Sequence, residues 1–127
     1  MNQLEIVIAG DAAIIKEQFQ RALSRIPGCL VTGVATDEHA AVALICSLDP
    51  DIVILDIRLP HKNGLGVLKE IYNRNPSSVI VMFTADESVI LRDACLEAGA
   101  SFYLNKSQMR DLLEIVRQQL ARKSAST

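Results

Sequence analysis

Residues 52–68 read IVILDIRLPHKNGLGVL, and this stretch decides the fold. Ile52–Leu55 is an unbroken apolar run, three of its four residues β-branched, and it ends in the carboxylate of Asp56. Pro50 punctuates the chain just before it. A short, continuous apolar run of this kind is the pattern of a strand covered on both faces, as in a parallel sheet. Beyond it, Leu65–Asn73 carries Leu65, Leu68 and Ile71 at helical spacing, so the segment predicts a strand followed by an amphipathic helix.

The same alternation runs through the chain. Leu4–Ala9 (LEIVIA), Leu30–Ala35 (LVTGVA), Val79–Phe83 (VIVMF) and Phe102–Leu104 are short and β-rich. Helical spacing appears in Ala12–Arg25 (Ile15, Phe19, Ala22, Leu23, then Ile26), Asp37–Leu48 (Ala41, Leu44, Ile45, Leu48), Glu87–Ala98 (Ile90, Leu91, Ala94, Ala98) and Gln108–Ala121 (Met109, Leu112, Leu113, Val116, Leu120). Pro27-Gly28, Asn75-Pro76 and Gly99 are stop signals, and Thr36 or Asp37 and Ser107 are candidate helix caps. Five βα units in succession imply an α/β fold, a doubly wound five-stranded parallel sheet with helices on both faces. Right-handed crossovers leave strand order 2-1-3-4-5 as the best candidate, with a switch point between strands 1 and 3. Residues 1–122 form one domain on this reading, and 123–127 a polar tail or the start of a linker.

Composition narrows the function. Half of the 127 residues are apolar, 22% are charged and the net charge is −2, which gives no general attraction to nucleic acid or to an anionic membrane. Cys29, Cys46 and Cys95 are odd in number, form no C-x-x-C and read as free, core-filling thiols. His39 and His61 lack metal-ligand spacing and read as surface residues. There is no leader-like N-terminus and no apolar run long enough to span a bilayer, so the expected location is cytoplasmic.

Ligands of open α/β sheets bind beyond the carboxyl ends of the strands. The residues leaving the strands here are Gly10-Asp11, Asp56, Thr84 and Asn105-Lys106. Two carboxylates, a hydroxyl and an ammonium are thereby brought to one rim. Asp11 and Asp56 would leave adjacent strands, about 5 Å apart in the sheet direction. Carboxylates that close call for a cation between them, and Mg²⁺ suits one or two carboxylates plus waters. A carboxylate beside Mg²⁺ is also a competent nucleophile toward phosphorus, giving an aspartyl phosphate. Asp56, ending the central strand, is the better candidate, with Thr84 and Lys106 positioned for the phosphoryl oxygens.

On these residues the chain resembles the receiver domains of two-component response regulators. Ile52–Leu68 is similar to their phosphoacceptor segment, IVIAGD (Ile6–Asp11) to their acidic strand-1 end, MFTADE (Met82–Glu87) to their strand-4 switch segment, and GASFYLNK (Gly99–Lys106) to the strand-5 segment with its lysine. The match runs from about Leu4 to Leu120. The resemblance implies a flavodoxin-like receiver fold. It implies that Asp56 accepts a phosphoryl group from a histidine kinase or phosphotransfer protein. Asp11 and Asp56 would bind Mg²⁺ with the backbone carbonyl of Arg58. Thr84 and Lys106 would contact the phosphoryl group, and Tyr103 would act as the aromatic switch. Such a domain catalyses its own phosphorylation and dephosphorylation without being a metabolic enzyme, and it binds no nucleic acid directly. Its readout face would be helix 4–strand 5–helix 5, where Arg92, Glu97, Arg110, Glu114 and Arg117 could support a partner interface or a homodimer.

Two positions depart from the family pattern. Gly10 stands where a second acidic residue is usual, which predicts weakened Mg²⁺ binding and keeps open a phosphorylation-independent pseudo-receiver acting as a protein-interaction module. Ser107 stands where proline usually follows the lysine, and a trans Lys106–Ser107 peptide is expected. A phosphatase of the haloacid-dehalogenase type would need an aspartate two positions after Asp56, where Arg58 stands. No Walker A, G-x-G-x-x-G or G-x-S-x-G motif appears at a strand–helix turn.

Overall fold

Five parallel strands form one sheet in the order β2-β1-β3-β4-β5. The computed structural model describes residues 3–10, 15–56, 64–85 and 88–125. The strands are β1 (Leu4–Ala9), β2 (Cys29–Ala35), β3 (Ile52–Leu55), β4 (Val79–Thr84) and β5 (Phe102–Asn105). Helix α1 joins a π-helical stretch, Ile15–Gln20, to a single α-helical turn, Arg21–Leu23. The others are α2 (Glu38–Leu48), α3 (Gly64–Arg74), α4 (Val89–Glu97) and α5 (Met109–Ala125). The doubly wound sheet and its strand order match the expectation.

The sheet divides the core in two. Side chains of alternating parity in the strands point to opposite faces. Ile6, Ile8, Ile54, Val81 and Phe83 pack with Phe19 and Leu23 of α1 and with Leu112, Ile115 and Val116 of α5. Val7, Ala9, Val53, Leu55, Ile80 and Met82 pack with Ala41 and Ile45 of α2, Val67, Leu68 and Ile71 of α3 and Cys95 of α4. Every residue of β3 is buried, as its unbroken apolar sequence requires. Each fully buried isoleucine or leucine contributes about 1.5–3 kcal/mol relative to exposure.

Local chemistry sets the helix ends. Asp37, in an extended conformation, accepts the Ala40 N–H at 2.8 Å and caps α2. Ser88 accepts the Leu91 N–H and caps α4. Gly99 ends the turn after α4 with φ +120°, and a side chain there would also run into the Tyr72 ring. Thr32 is an extra residue in β2: the register passes from Ile6↔Val31 to Val7↔Gly33, and its hydroxyl donates to the Ile6 carbonyl.

Two expectations need correction. Spacing places Ile90 in the core stripe of α4, yet it is 83% exposed. It lies five positions before the buried Cys95, about 140° round a helix of 3.6 residues per turn, so it faces outward. Ser107 does not cap α5: Gln108 occupies the position before the helix and its carbonyl accepts the Leu112 N–H, while the Ser107 hydroxyl donates to Asn105. Helix α5 continues through Ala125, and Lys123 Nζ in its last turn reaches Asp51 Oδ2 at 2.7 Å and the Gln3 carbonyl at 2.8 Å. All three cysteines are free thiols; Cys95 is buried, Cys29 and Cys46 partly so. His39 is exposed, and His61 lies outside the described residues. Among the described residues no helix is long and apolar enough to cross a membrane.

Candidate functional site

The rim of the sheet is assembled by strand pairing. Asp56, the residue after β3, donates its N–H to the Ala9 carbonyl of β1 at 2.9 Å. Gly10, the residue after β1, donates to the Ala35 carbonyl of β2 at 2.9 Å. Thr84 ends β4 and pairs in register with Asn105 of β5, which sets Lys106 one residue further on. Extending the register Leu55↔Met82↔Tyr103 puts Asp56 level with Phe83 and Leu104, with Thr84 one position and Lys106 two positions further along their strands.

Two of the residues singled out in the sequence meet through their side chains, Lys106 and Asp56. Lys106 Nζ lies 3.2 Å from Asp56 Oδ2, and their side chains are 27% and 11% exposed. Thr84 is fully buried at the end of β4. Tyr103 is half-buried and packs against the core on the α2–α4 side of the sheet. Asp11 and Arg58 lie outside the described residues.

Gly10 shapes one flank of Asp56. A Cβ built on Gly10 would sit 3.0 Å from Asp56 Cβ and 3.8 Å from Oδ2, so the carboxylate faces bare backbone on that side. The turn that presents Lys106 is closed by polar side chains. Asn105 N–H donates to Gln108 Oε1 at 2.8 Å, Gln108 N–H donates to the Asn105 carbonyl at 3.0 Å, and Ser107 N–H donates to Asn105 Oδ1 at 2.9 Å. This is an Asx turn, in which an asparagine side chain substitutes for a backbone acceptor. The Lys106–Ser107 peptide is trans, and the ammonium still reaches Asp56. Ser107 supplies an N–H that proline lacks.

One contact was not legible in the sequence. Lys106 Nζ lies 5.8 Å from the centroid of the buried Phe83 ring, which meets Phe19 of α1 edge-on, with centroids 5.0 Å apart and planes at 72°. Phe83 read only as part of an apolar strand. The available signal was its place immediately before Thr84. The thiols take no part: burial pushes Cys29 and Cys95 above the ordinary thiol range, and each packs into a core cluster.

A family model described as the response regulator receiver domain matches residues 6–117. The chain belongs to the response regulator receiver family. A two-component response regulator of the LuxR family from Aurantimonas sp. SI85-9A1 is 30% identical to this receiver and superposes with a TM-score of 0.85, covering 95% of this chain and 87% of that one. The transcriptional regulatory protein DegU of Brevibacillus brevis is 31% identical over 114 residues, 88% of this chain and 48% of the relative. A protein-glutamate methylesterase/protein-glutamine glutaminase of Anaeromyxobacter dehalogenans is 35% identical over 81 residues, 64% of this chain and 23% of the relative. The receiver thus spans about a quarter to a half of the length of these curated relatives.

Proposed function

We propose that this receiver accepts a phosphoryl group on Asp56 from the phosphohistidine of a histidine kinase or phosphotransfer protein, and that the modification switches partner binding. The observation that carries this reading is the approach of Lys106 Nζ to Asp56 Oδ2, 3.2 Å, at a rim that also holds the buried Thr84. In the reaction an Asp56 oxygen attacks phosphorus, the P–N bond breaks, and its electron pair returns to the imidazole, which takes up a proton. Catalysis is then positioning plus electrostatics. The Lys106 ammonium offsets negative charge on the transferring group, and the Thr84 hydroxyl donates to a phosphoryl oxygen.

The donor chemistry at the rim fits Mg²⁺. Asp56 offers hard carboxylate oxygens, and Gly10 leaves the flank of that carboxylate open, which suits an ion that keeps several of its waters. Asp11, Asp56 and the backbone carbonyl of Arg58 would hold it, the first and last of these outside the described residues. The ion, when bound, supplies positive charge at the phosphoryl oxygens.

The output is a population shift. Moving a two-state equilibrium from 1:99 to 99:1 takes about 5.5 kcal/mol. Hydrogen bonds to charged groups contribute roughly 1.5–3 kcal/mol each, so Thr84 and Lys106 together come near that scale. Tyr103 would follow Thr84 inward. Partner binding would fall on the α4–β5–α5 face, where Arg92, Glu97, Arg110, Glu114 and Arg117 are all exposed, and a homodimer through that face fits the same reading. The reaction is set in the cytoplasm, where the donor kinase presents its phosphohistidine.

Mass spectrometry after incubation with Mg²⁺ and acetyl phosphate or phosphoramidate tests the proposal. Wild type should gain one phosphoryl group and Asp56→Asn none. A single observation, Gly10 in place of an acidic residue, favours the second reading of a phosphorylation-independent interaction module. That reading predicts no mass gain.

A further inference from the structure

We propose that Phe83 is a positioning residue for Lys106, its ring acting as a neutral seat for the ammonium beside Asp56; this rests on the phosphoacceptor reading above. Lys106 leaves the end of β5, Asp56 leaves the end of β3, and β4 lies between them. The lysine must therefore cross the end of β4 to make its 3.2 Å contact. Phe83 is the β4 residue next to that end, and its ring lies 5.8 Å from Nζ. That is within the roughly 6 Å over which an ammonium is attracted to an aromatic face.

The ring is well held. Phe83 is fully buried, Leu104 lies opposite it in register on β5, and the Phe19 ring packs edge-on against it at 5.0 Å. Lysine, by contrast, is a point charge on a flexible four-carbon stem. The Asx turn fixes the backbone of residues 105–108 but leaves the stem free to rotate. A second attractor narrows the positions open to Nζ.

The chemistry of that attractor matters. A second carboxylate would hold the ammonium more strongly, but it would neutralise it and compete with the incoming phosphoryl oxygens. A benzene ring attracts the cation through its quadrupole without carrying charge. The ammonium can then exchange its carboxylate partner for a phosphoryl oxygen while the contact with the ring persists. Phe83 thus keeps Lys106 poised as the charge at Asp56 changes by about one unit, from carboxylate to acyl phosphate.

Progressive fluorination of the ring separates this role from packing. Phe83 would be replaced by 4-fluoro-, 3,5-difluoro- and 3,4,5-trifluorophenylalanine, which nearly keep the ring's shape while weakening its negative face. The rate of phosphorylation by acetyl phosphate should fall stepwise, by about fivefold at the trifluoro ring, with the melting temperature unchanged. A direct readout needs no phosphorylation: the Lys106 ε-methylene protons should show a ring-current shift that survives Asp56→Asn and disappears in Phe83→Leu. A rate that stays flat across the fluorinated series in a protein that phosphorylates normally would overturn the proposal. Absence of the ring-current shift would overturn it too. If wild type shows the ring-current shift but takes no phosphoryl group, the seat for the amine stands and the phosphoacceptor reading falls.

Discussion

Lys106 reaches Asp56 from two strands away, its ammonium 3.2 Å from Oδ2 across the end of β4. Lys106→Ala should lower the rate of phosphorylation from a small-molecule donor by about 10²-fold, the usual loss when a preorganised charge stabiliser is removed. Lys106→Arg should recover only part of it, since a planar fork does not reproduce a compact ammonium. Stopped-flow measurements with phosphoramidate would check both; a Lys106→Ala rate within twofold of wild type would remove lysine from the mechanism.

Gly10 makes the Mg²⁺ requirement testable with its own control. Gly10→Asp should tighten Mg²⁺ binding by about 10–100-fold, the typical weight of an outer-shell ligand partner. Gly10→Ala places the same Cβ 3.0 Å from Asp56 Cβ without adding an acid, and should leave the affinity unchanged or lower it. Calorimetric titration distinguishes them. Equal affinities for the aspartate and alanine variants would show that no carboxylate is wanted at this position.

The turn after β5 depends on Asn105, whose Oδ1 accepts both the N–H and the hydroxyl of Ser107. Asn105→Ala should cost about 1 kcal/mol of stability in urea unfolding, the net worth of a typical hydrogen bond or slightly more. It should also slow phosphorylation severalfold, because the backbone of Lys106 is no longer fixed.

At the opposite end of the sheet, Asp51 Oδ2 accepts the Glu5 N–H at 2.8 Å as well as pairing with Lys123. Asp51→Ala should therefore destabilise by about 1–2 kcal/mol, since a backbone donor loses a charged acceptor. Lys123→Ala should cost less than about 1 kcal/mol, as partly exposed ion pairs usually do. Urea titrations rank the two, and amide exchange in the last turn of α5 should accelerate in both variants.

Cys95 gives a pH signature. Burial holds its thiol above the ordinary value of 9.0 in the folded chain. Once the pH rises past that ordinary value, the unfolded chain loses the thiol proton while the folded chain keeps it. Unfolding is then favoured, so stability from this group is complete below about pH 8 and declines above pH 9. Urea unfolding at pH 7 and pH 10 should show that decline, and it should be smaller in Cys95→Ala.

The strands and their order were legible because β1, β3 and β4 are almost continuously apolar and alternate with helical patterns, as strands of a parallel sheet covered on both faces do. The rim was legible because a parallel sheet delivers all its strand exits to one edge, so Asp56, Thr84 and Lys106 could be read from position alone. What escaped depends on three-dimensional neighbours. Ile90 obeys helical spacing yet faces outward, since periodicity gives a stripe's width poorly near a helix end. Lys123 reads as a polar tail until its partners Asp51 and Gln3, distant in sequence, are known. Asn75 reads as a helix stop, yet it is buried and its Nδ2 donates to Asp49, the left-handed residue that closes α2. Phe83 is indistinguishable from any strand hydrophobe until the path of the Lys106 side chain is traced.

The contact between Lys123 and the carbonyl of Gln3 brings both ends of the described chain to the pole opposite the rim. In a segment cut to residues 3–125, a short peptide bridge could close the polypeptide into a ring there. New ends opened at the exposed Pro76-Ser77 turn would then yield a circular permutant in which every strand keeps its neighbours, and the chemistry at Asp56 should survive the rewiring.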